Sequence, residues 1–381
     1  MAVIDVKPVT TRGDRRKYLD LPAVLHRDDP HWIPRLRIVE SELAGYRHHP
    51  FHETAEVATF LARRGGEVCG RIAAIVNHEH NRAYQERRGF FGFFESVDDP
   101  QVAAALFDAA REWLAARNTT TLRGPVNPSM NYDCGLLVDG FDSPPTFLMP
   151  YNPAYYQRLI EGYGFRQAQD LYAYVGHREQ LPAFEQELGG LIDQAQERCN
   201  ATVRPIVVAR KDLALFLEIY NRSFEGMWGF VPLTQSELAE FAKMLRHLVS
   251  PELLMIAEVD GRGVGAVLGL PDFNPTIKRI KGRLLPFGFL RLLAAKKNCQ
   301  RLRVISINVV PEFQRWGLGL VLLRSLVPIA MRLGVQVAEF SWIAESNVLP
   351  RAGMEKAKLK LDKTFRIYDL ESAAATAPGG G

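Results

Sequence analysis

Residues 304–334 read VISINVVPEFQRWGLGLVLLRSLVPIAMRLG, and this stretch decides the fold. Val304 to Val310 is dense in β-branched side chains, which suit a pleated strand. Gln314-Arg315-Trp316-Gly317-Leu318-Gly319 reads as a tight, glycine-bearing turn. From Leu320 to Leu333, Leu322, Leu323, Leu326, Ile329, Ala330 and Leu333 recur at helical spacing. A strand that ends in such a turn and opens a helix gathers free backbone N–H groups around one point. The helix dipole adds partial positive charge there. Gly317 and Gly319 have no side chain to hold phosphate oxygens away, and Arg315 adds a charge contact. The turn is predicted to hold a pyrophosphate.

Working outward, the same landmarks occur twice. VIDVKPV (3–9) and TVRPIVV (202–208) each read as a strand leading into a helical segment. Hairpins are expected at Gly66 to Gly70 and, after Asp260, at Gly261 to Gly265. Asn152 opens NPAYYQRLIEGYGF, and Asn347 opens NVLPRAGMEKAKL at a nearly constant offset. These pairs predict two copies of one α/β unit of roughly 190 residues. The expected domains are 1–180 and 201–372, joined by a linker helix in 181–200, with 373–381 as a disordered small-residue tail.

Composition bounds the function. At 381 residues, 47% hydrophobic and 24% charged, the chain exceeds one ordinary core and is not broadly disordered. A formal charge of +4 does not by itself indicate a nucleic-acid binder. Cys69, Cys134, Cys199 and Cys299 are scattered, with no metal-ligand spacing, so no metal site is expected and a reducing cytosol suits them. The N-terminus lacks an apolar leader segment, and no run reaches the roughly 18 apolar residues of a membrane span. The expectation is a cytoplasmic protein, at most peripheral on the inner membrane face.

PEFQRWGLG (311–319), following a β-branched strand, closely resembles the acetyl-coenzyme A loop of the GNAT superfamily, with its Q/R-x-x-G-x-G/A pattern. It differs from the dinucleotide fingerprint, whose spacing is GxGxxG. VQVAEFSWIAESN (335–347) looks like the family's fifth strand, and Asn347 matches the Asn that begins its next helix. The resemblance implies two tandem GNAT-like mixed-sheet α/β domains with flanking helices. It also implies an acyl-CoA co-substrate, acetyl-CoA or longer, whose pantetheine arm pairs with a splayed strand. Carried over, the nucleotide contacts fall on Ile307, Val309, Val310, Gln314, Arg315, Trp316, Gly317, Leu318, Gly319 and Asn347. One strand N–H there would polarise the thioester carbonyl.

Two positions depart from the family's pattern. Met354 stands where the family often has a tyrosine acid for the departing thiolate, and Lys358-Leu359 stand where it usually has Gly-Phe. Solvent or another group such as Tyr368 then protonates the thiolate. An amine attacks only when neutral, so a base is required. Glu345 is the first candidate and Glu339 the second, with Ser306 and Asn308 as the polar residues of the strand. The equivalent turn of the first repeat, within 89–114, carries Glu95, Asp98, Asp99 and Pro100, which repel a pyrophosphate. That half is expected to be a scaffold that shapes the acceptor site. The polar loop 123–152, with Asn127, Asn131, Asp133, Cys134 and Tyr151, and the aromatic stretch 221–232 are candidates for lining it.

Residues 276–303 carry Lys278, Arg279, Lys281, Arg283, Arg291, Lys296, Lys297, Arg301 and Arg303 without an acid, interleaved with leucines and phenylalanines. This composition suits an anionic membrane surface, and nucleic acid is disfavoured because no recognition motif accompanies the charge. The whole chain also resembles bacterial double-GNAT proteins that include candidate ceramide synthases, which implies a long-chain acyl group and a sphingoid-type amine. Two other readings stay open: a non-catalytic CoA- or membrane-binding scaffold, and a paired-GNAT transferase that takes aminoacyl groups from tRNA.

Overall fold

The computed structural model describes residues 3–206, 210–245, 248–296 and 299–371. The sequence expectations for Val207 and Val208, for Lys297 and for the 373–381 tail lie outside them. The chain opens with β1 (Ile4–Pro8), α1 (Arg12–Leu25), α2 (Arg37–Leu43), β2 (Ala55–Arg64) and β3 (Glu67–Asn77). It continues with α3 (His78–Tyr84), β4 (Arg88–Ser96), α4 (Pro100–Ala115), β5 (Thr121–Gly124), β6 (Val126–Asn127), β7 (Asp133–Cys134) and β8 (Leu136–Asp139). Next come α5 (Tyr155–Tyr163), β9 (Arg166–His177), α6 (Leu181–Cys199), β10 (Thr202–Pro205), α7 (Arg210–Ser223) and α8 (Gln235–Leu245). The remainder is β11 (Leu254–Val259), β12 (Arg262–Pro271), α9 (Asn274–Arg279), α10 (Gly288–Ala295) and β13 (Arg301–Val309), followed by α11 (Leu318–Arg332), β14 (Val337–Ala344), α12 (Val348–Lys356) and β15 (Lys360–Glu371).

Contacts divide the chain into two units, and the division does not follow the sequence boundaries at 180 and 372. The first unit runs to Asp170 and takes Lys281–Arg283 and the chain from Thr364 onward. The second comprises Leu171–Ile280 and Leu284–Lys363. Its sheet order makes the cause plain. In the first unit the strands run β1-β2-β3-β4-β5-β15, with Tyr368 opposite Gly124 and Leu370 opposite Leu122. In the second they run β9-β14-β13-β12-β11-β10, with Val175 opposite Glu339. Each half of the chain lends a strand to the other unit.

The first unit's core packs α4 on the sheet. Asp99 accepts the Gln101 N–H at 2.8 Å and Pro100 begins the helix, so the N-terminus is capped. Val102, Leu106, Ala110 and Leu114 then fall on one face, and Phe107 stacks on Phe94 at 4.9 Å. In the second unit α11 buries Leu318, Leu322, Leu326 and Ile329 on the same principle. The helix expected as a linker, α6, packs there too. It buries Leu188, Ile192, Ala195 and Cys199, and Arg324 of α11 reaches Asp193 at 2.7 Å and Gln196 at 3.1 Å.

The repeat is visible in the hairpins. The β2–β3 turn has positive φ at Gly65 and Gly66, and the β11–β12 turn at Asp260 and Gly261. Both positions of such a two-residue turn need the left-handed region, which matches the twist of the strands. The first turn therefore sits at Gly65-Gly66, and Cys69 and Gly70 belong to β3 rather than to the turn.

Candidate active site

The parallel pair β13–β14 is in register from Arg301–Val337 to Val304–Phe340 and no further. Yet β13 runs on to Val309 and β14 to Ala344, so the two strands part after Val304. Just before the fork sits a buried ionic network. Arg303 donates to Ser341 Oγ at 2.9 Å and to the Ser341 carbonyl at 3.2 Å, and Ser341 Oγ donates to Glu339 at 2.7 Å. Arg303 and Glu339 are each only 1% exposed. Buried charges persist when paired and hydrogen-bonded. Glu339, the second base candidate, is thus built into the fork and withdrawn from solvent.

Beyond the fork, strand geometry fixes what β13 presents. The Val310 amide donates to Val264 O at 3.0 Å, on the β12 side. Antiparallel strands alternate, so the amides of Asn308 and Ser306 face β12 as well, and those of Ile307 and Val309 face the gap. Of the three expected backbone contacts on this strand, Ile307 and Val309 turn their amides to the gap, and the Val310 N–H is already taken. The side chains of Ile307 and Val309 lie toward α11, where a Cβ on Gly319 would meet them at 3.5 and 3.9 Å. Ser306 and Asn308 occupy the opposite face.

Asn308 is completely buried and donates to Ser223 Oγ at 2.8 Å, and Ser223 in turn donates to the Tyr220 carbonyl at 2.8 Å. Its Oδ1 has no partner among the described residues. A buried acceptor without a donor is costly, typically about 1–3 kcal/mol. It marks a place where a donor is missing. The aromatic stretch 221–232 contributes Ser223 and the Phe224–Phe230 ring pair at 5.6 Å, so part of it does flank this strand.

The turn itself is Pro311–Trp316 in 3₁₀ form, then Gly317 at φ 81°, then α11. Gln314 braces it by donating to Val309 O at 3.1 Å and Ser223 O at 3.4 Å. Among the described residues the amides of Gly317, Leu318 and Gly319 donate to no backbone acceptor, while those of Leu320 and Val321 already return to Gly317 O. Three successive N–H groups therefore remain free at the helix mouth, an anion-binding arrangement. Glycine is required at 317 for its positive φ and because a Cβ would lie 2.9 Å from Ala195 Cβ on α6. Glu312, the acid within the turn, is ion-paired with Arg222 at 2.5 Å. Arg315 and Trp316 are exposed, and Arg315 has no ion pair among the described residues.

Other expected residues are dispersed. Glu345 is exposed in the turn after β14, and its carbonyl accepts from Arg351 at 2.8 Å. Asn347 begins α12 without a side-chain cap bond. Met354 is buried on α12. Tyr368 is misplaced by the sequence reading. It lies in the first unit's core on β15, fully buried, and donates to Glu161 at 2.9 Å. Burial and then Glu161 push its phenol well above the ordinary value. It is a core hydroxyl of the first unit. The polar contacts of Ser223 and Ala195's approach to Gly317 went unforeseen. Only the helical spacing of 188, 192, 195 and 199 signalled that α6 packs on something.

The corresponding place in the first unit is closed. There β4 and β5 are in register from Arg88–Thr121 to Phe90–Arg123, and then part. The β6–β7 ribbon fills the space: a Cβ on Gly92 would lie 1.7 Å from Val126 O. The Phe93 amide, three residues past the last paired position as Ile307 is, donates to Asn127 Oδ1 at 2.6 Å. Asn127 also donates to Asp133 at 3.3 Å, and Arg35 pairs with the same carboxylate. Burial pushes the Asp133 carboxyl above its ordinary value, against the pull of Arg35. Glu95 accepts from Tyr156 at 2.7 Å and lies 2.8 Å from His26 Nε2, with Arg71 at 3.6 Å. Burial acts to raise its carboxyl, but His26, Arg71 and Tyr156 outweigh that and hold it below the ordinary value. The polar loop 123–152 is largely structural: Asn152, too, clamps the Leu137 peptide at 2.8 and 3.1 Å.

These features can be set beside known proteins. A tandem GNAT protein from the clavulanic acid biosynthesis pathway superimposes with a TM-score of 0.57, covering 97% of this chain and 98% of its own at 12% identity. A GCN5-related N-acetyltransferase from Sphaerobacter thermophilus does so with a TM-score of 0.53, covering 97% and 95% at 14% identity. No family model matches the chain. The chain is 34% identical over 383 residues, 97% of each protein, to the bacterial ceramide synthase of Caulobacter vibrioides strain NA1000 / CB15N. It is 32% identical over 374 residues, 96% of this chain and 95% of the relative, to Protein YghO of Escherichia coli strain K12. The forked strand pair, the glycine turn and the doubled unit define a tandem GNAT fold. At this identity and coverage, the chain belongs to the family that includes the Caulobacter ceramide synthase.

Proposed function

We propose that the chain transfers a long-chain acyl group from its coenzyme A thioester to the primary amine of a sphingoid-type base. The observation that carries the donor half is the row of three free amides at Gly317, Leu318 and Gly319, next to a strand whose Ile307 and Val309 amides face an open fork. In this reading the turn and Arg315 hold the pyrophosphate, and the strand amides pair with pantetheine. The amide nearest the thioester carbonyl stabilises the oxyanion, a contribution typically of about 10²–10³ in rate. The acceptor half is supported by the name of the Caulobacter relative.

The amine nitrogen attacks the thioester carbon, the C–N bond forms and the C–S bond breaks. Exposed Glu345 takes the amine proton to solvent. Solvent protonates the departing thiolate, since Met354 has no proton to give and the Tyr368 hydroxyl is buried and donates to Glu161. The first unit, with its fork filled, takes no nucleotide.

The test is thiol release from acetyl-CoA and palmitoyl-CoA, each with small amines and with sphinganine. Release with palmitoyl-CoA and sphinganine, well above every other pair, is expected. Tight CoA binding with no release under any pairing would point instead to a non-catalytic scaffold.

A further inference from the structure

The segment that contains α9 and α10 is not absorbed by the transferase site. α10 is apolar on every side, GFLRLLAA apart from one arginine, yet it turns only Gly288 and Leu292 into the core. Leu285 is 84% exposed, Phe287 66% and Leu290 61%, and Phe289 is also outside. Six consecutive residues, 285–290, thus present four large apolar side chains to solvent, held by the Phe289 N–H to Leu284 O bond at 2.9 Å. A monomeric surface seldom clusters apolar groups without a reason. Arg283 lies two positions before this run and Arg291 directly after it, with Arg279 and Lys281 upstream, all exposed. None of these four forms an ion pair among the described residues.

We infer that this segment is a docking surface for anionic phospholipid, with Leu285, Phe287 and Leu290 seated at the acyl boundary and the cations on headgroup phosphates. Charge decides the occupant. A two-fold pairing of this patch with a second copy would bring identical arginines together without an acid between them. An anionic bilayer answers both the apolar groups and the charges. Among the described residues no helix is long and apolar enough to cross a membrane, so attachment here is at the surface. The inference stands apart from the transferase reading, because its test measures lipid binding without turnover.

The experiment is co-flotation of the full chain with vesicles of phosphatidylcholine alone and of phosphatidylcholine mixed with phosphatidylglycerol. Strong, salt-sensitive flotation with the anionic vesicles and little with the neutral ones is expected. Each cation near such a surface is worth about fivefold in partitioning, so Arg283→Glu with Arg291→Glu should cost on the order of 25-fold or more. Replacing Leu285, Phe287 and Leu290 together by Ser should abolish binding. Because these side chains are exposed, thermal unfolding should not move, and Arg291→Gln alone, expected to cost about fivefold, serves if the multiple variants misfold. Equal flotation with both vesicles, no flotation, or unchanged binding in the variants would overturn the inference. So would concentration-dependent dimerisation in light scattering that the serine replacements remove, since it would assign the patch to a second copy.

Discussion

The two forks of this molecule are built alike and finished differently. In each unit a parallel strand pair keeps register to a fixed point and then parts, after Phe90–Arg123 in one and Val304–Phe340 in the other. Three residues on, the Phe93 amide meets Asn127 Oδ1, whereas the Ile307 amide faces the gap between the parted strands. Asn152 clamps the peptide of Leu137, while its counterpart by sequence, Asn347, has no side-chain cap bond. The first unit's helix mouth is occupied by the Asp99 carboxylate, and the second unit's by three free amides. A duplicated fold has satisfied its backbone internally in one copy and left it unsatisfied in the other. The unsatisfied copy is where a ligand gains most.

The largest effect that would break this comparison is expected at Gly92. A methyl there collides with the Val126 carbonyl, so Gly92→Ala should destabilise the protein by about 3 kcal/mol, as overpacking does, read as a lower urea midpoint. CoA affinity of the folded fraction should not change. A smaller effect follows from His80, which stacks on Tyr84 at 4.6 Å and touches Glu86 at 2.6 Å. Burial, only partly offset by Glu86, lowers its imidazole to about 4. The unfolded chain then binds the proton first, so stability is complete above the ordinary histidine value and falls as pH drops toward 4. Between pH 7 and pH 5 about 2 kcal/mol should be lost in urea titrations, and His80→Asn should flatten that slope. The smallest effect sharpens the comparison from the other side. Arg315→Ala removes the exposed cation of the turn and should raise the KM for acyl-CoA about fivefold while kcat holds, measured by steady-state thiol release.

Much of the second unit's site was legible because its signals are local. A β-branched run, glycine where φ is 81°, and leucines at helical spacing place β13, the turn and α11 within a few residues of each other in sequence. What escaped depends on partners distant along the chain. Nothing in the alternation of 360–371 says that Tyr368 will face Gly124, so its assignment to the nearer unit failed. The ribbon from Val126 to Cys134 read as a loop because its two-residue strands are too short for a period to register. The packing of α6 was written in its own spacing, but the surface that receives it was not.

The claim beneath all of this is that free amides at the mouth of α11 bind a pyrophosphate, and calorimetric titration of coenzyme A into the wild type and Gly317→Val tests it most directly. Valine demands a φ it rarely adopts and pushes against Ala195. The account predicts one site per chain in the wild type and a loss of affinity on the order of 100-fold or more in the variant, roughly 3 kcal/mol. Equal affinity in the two proteins, or two sites per chain, would contradict it.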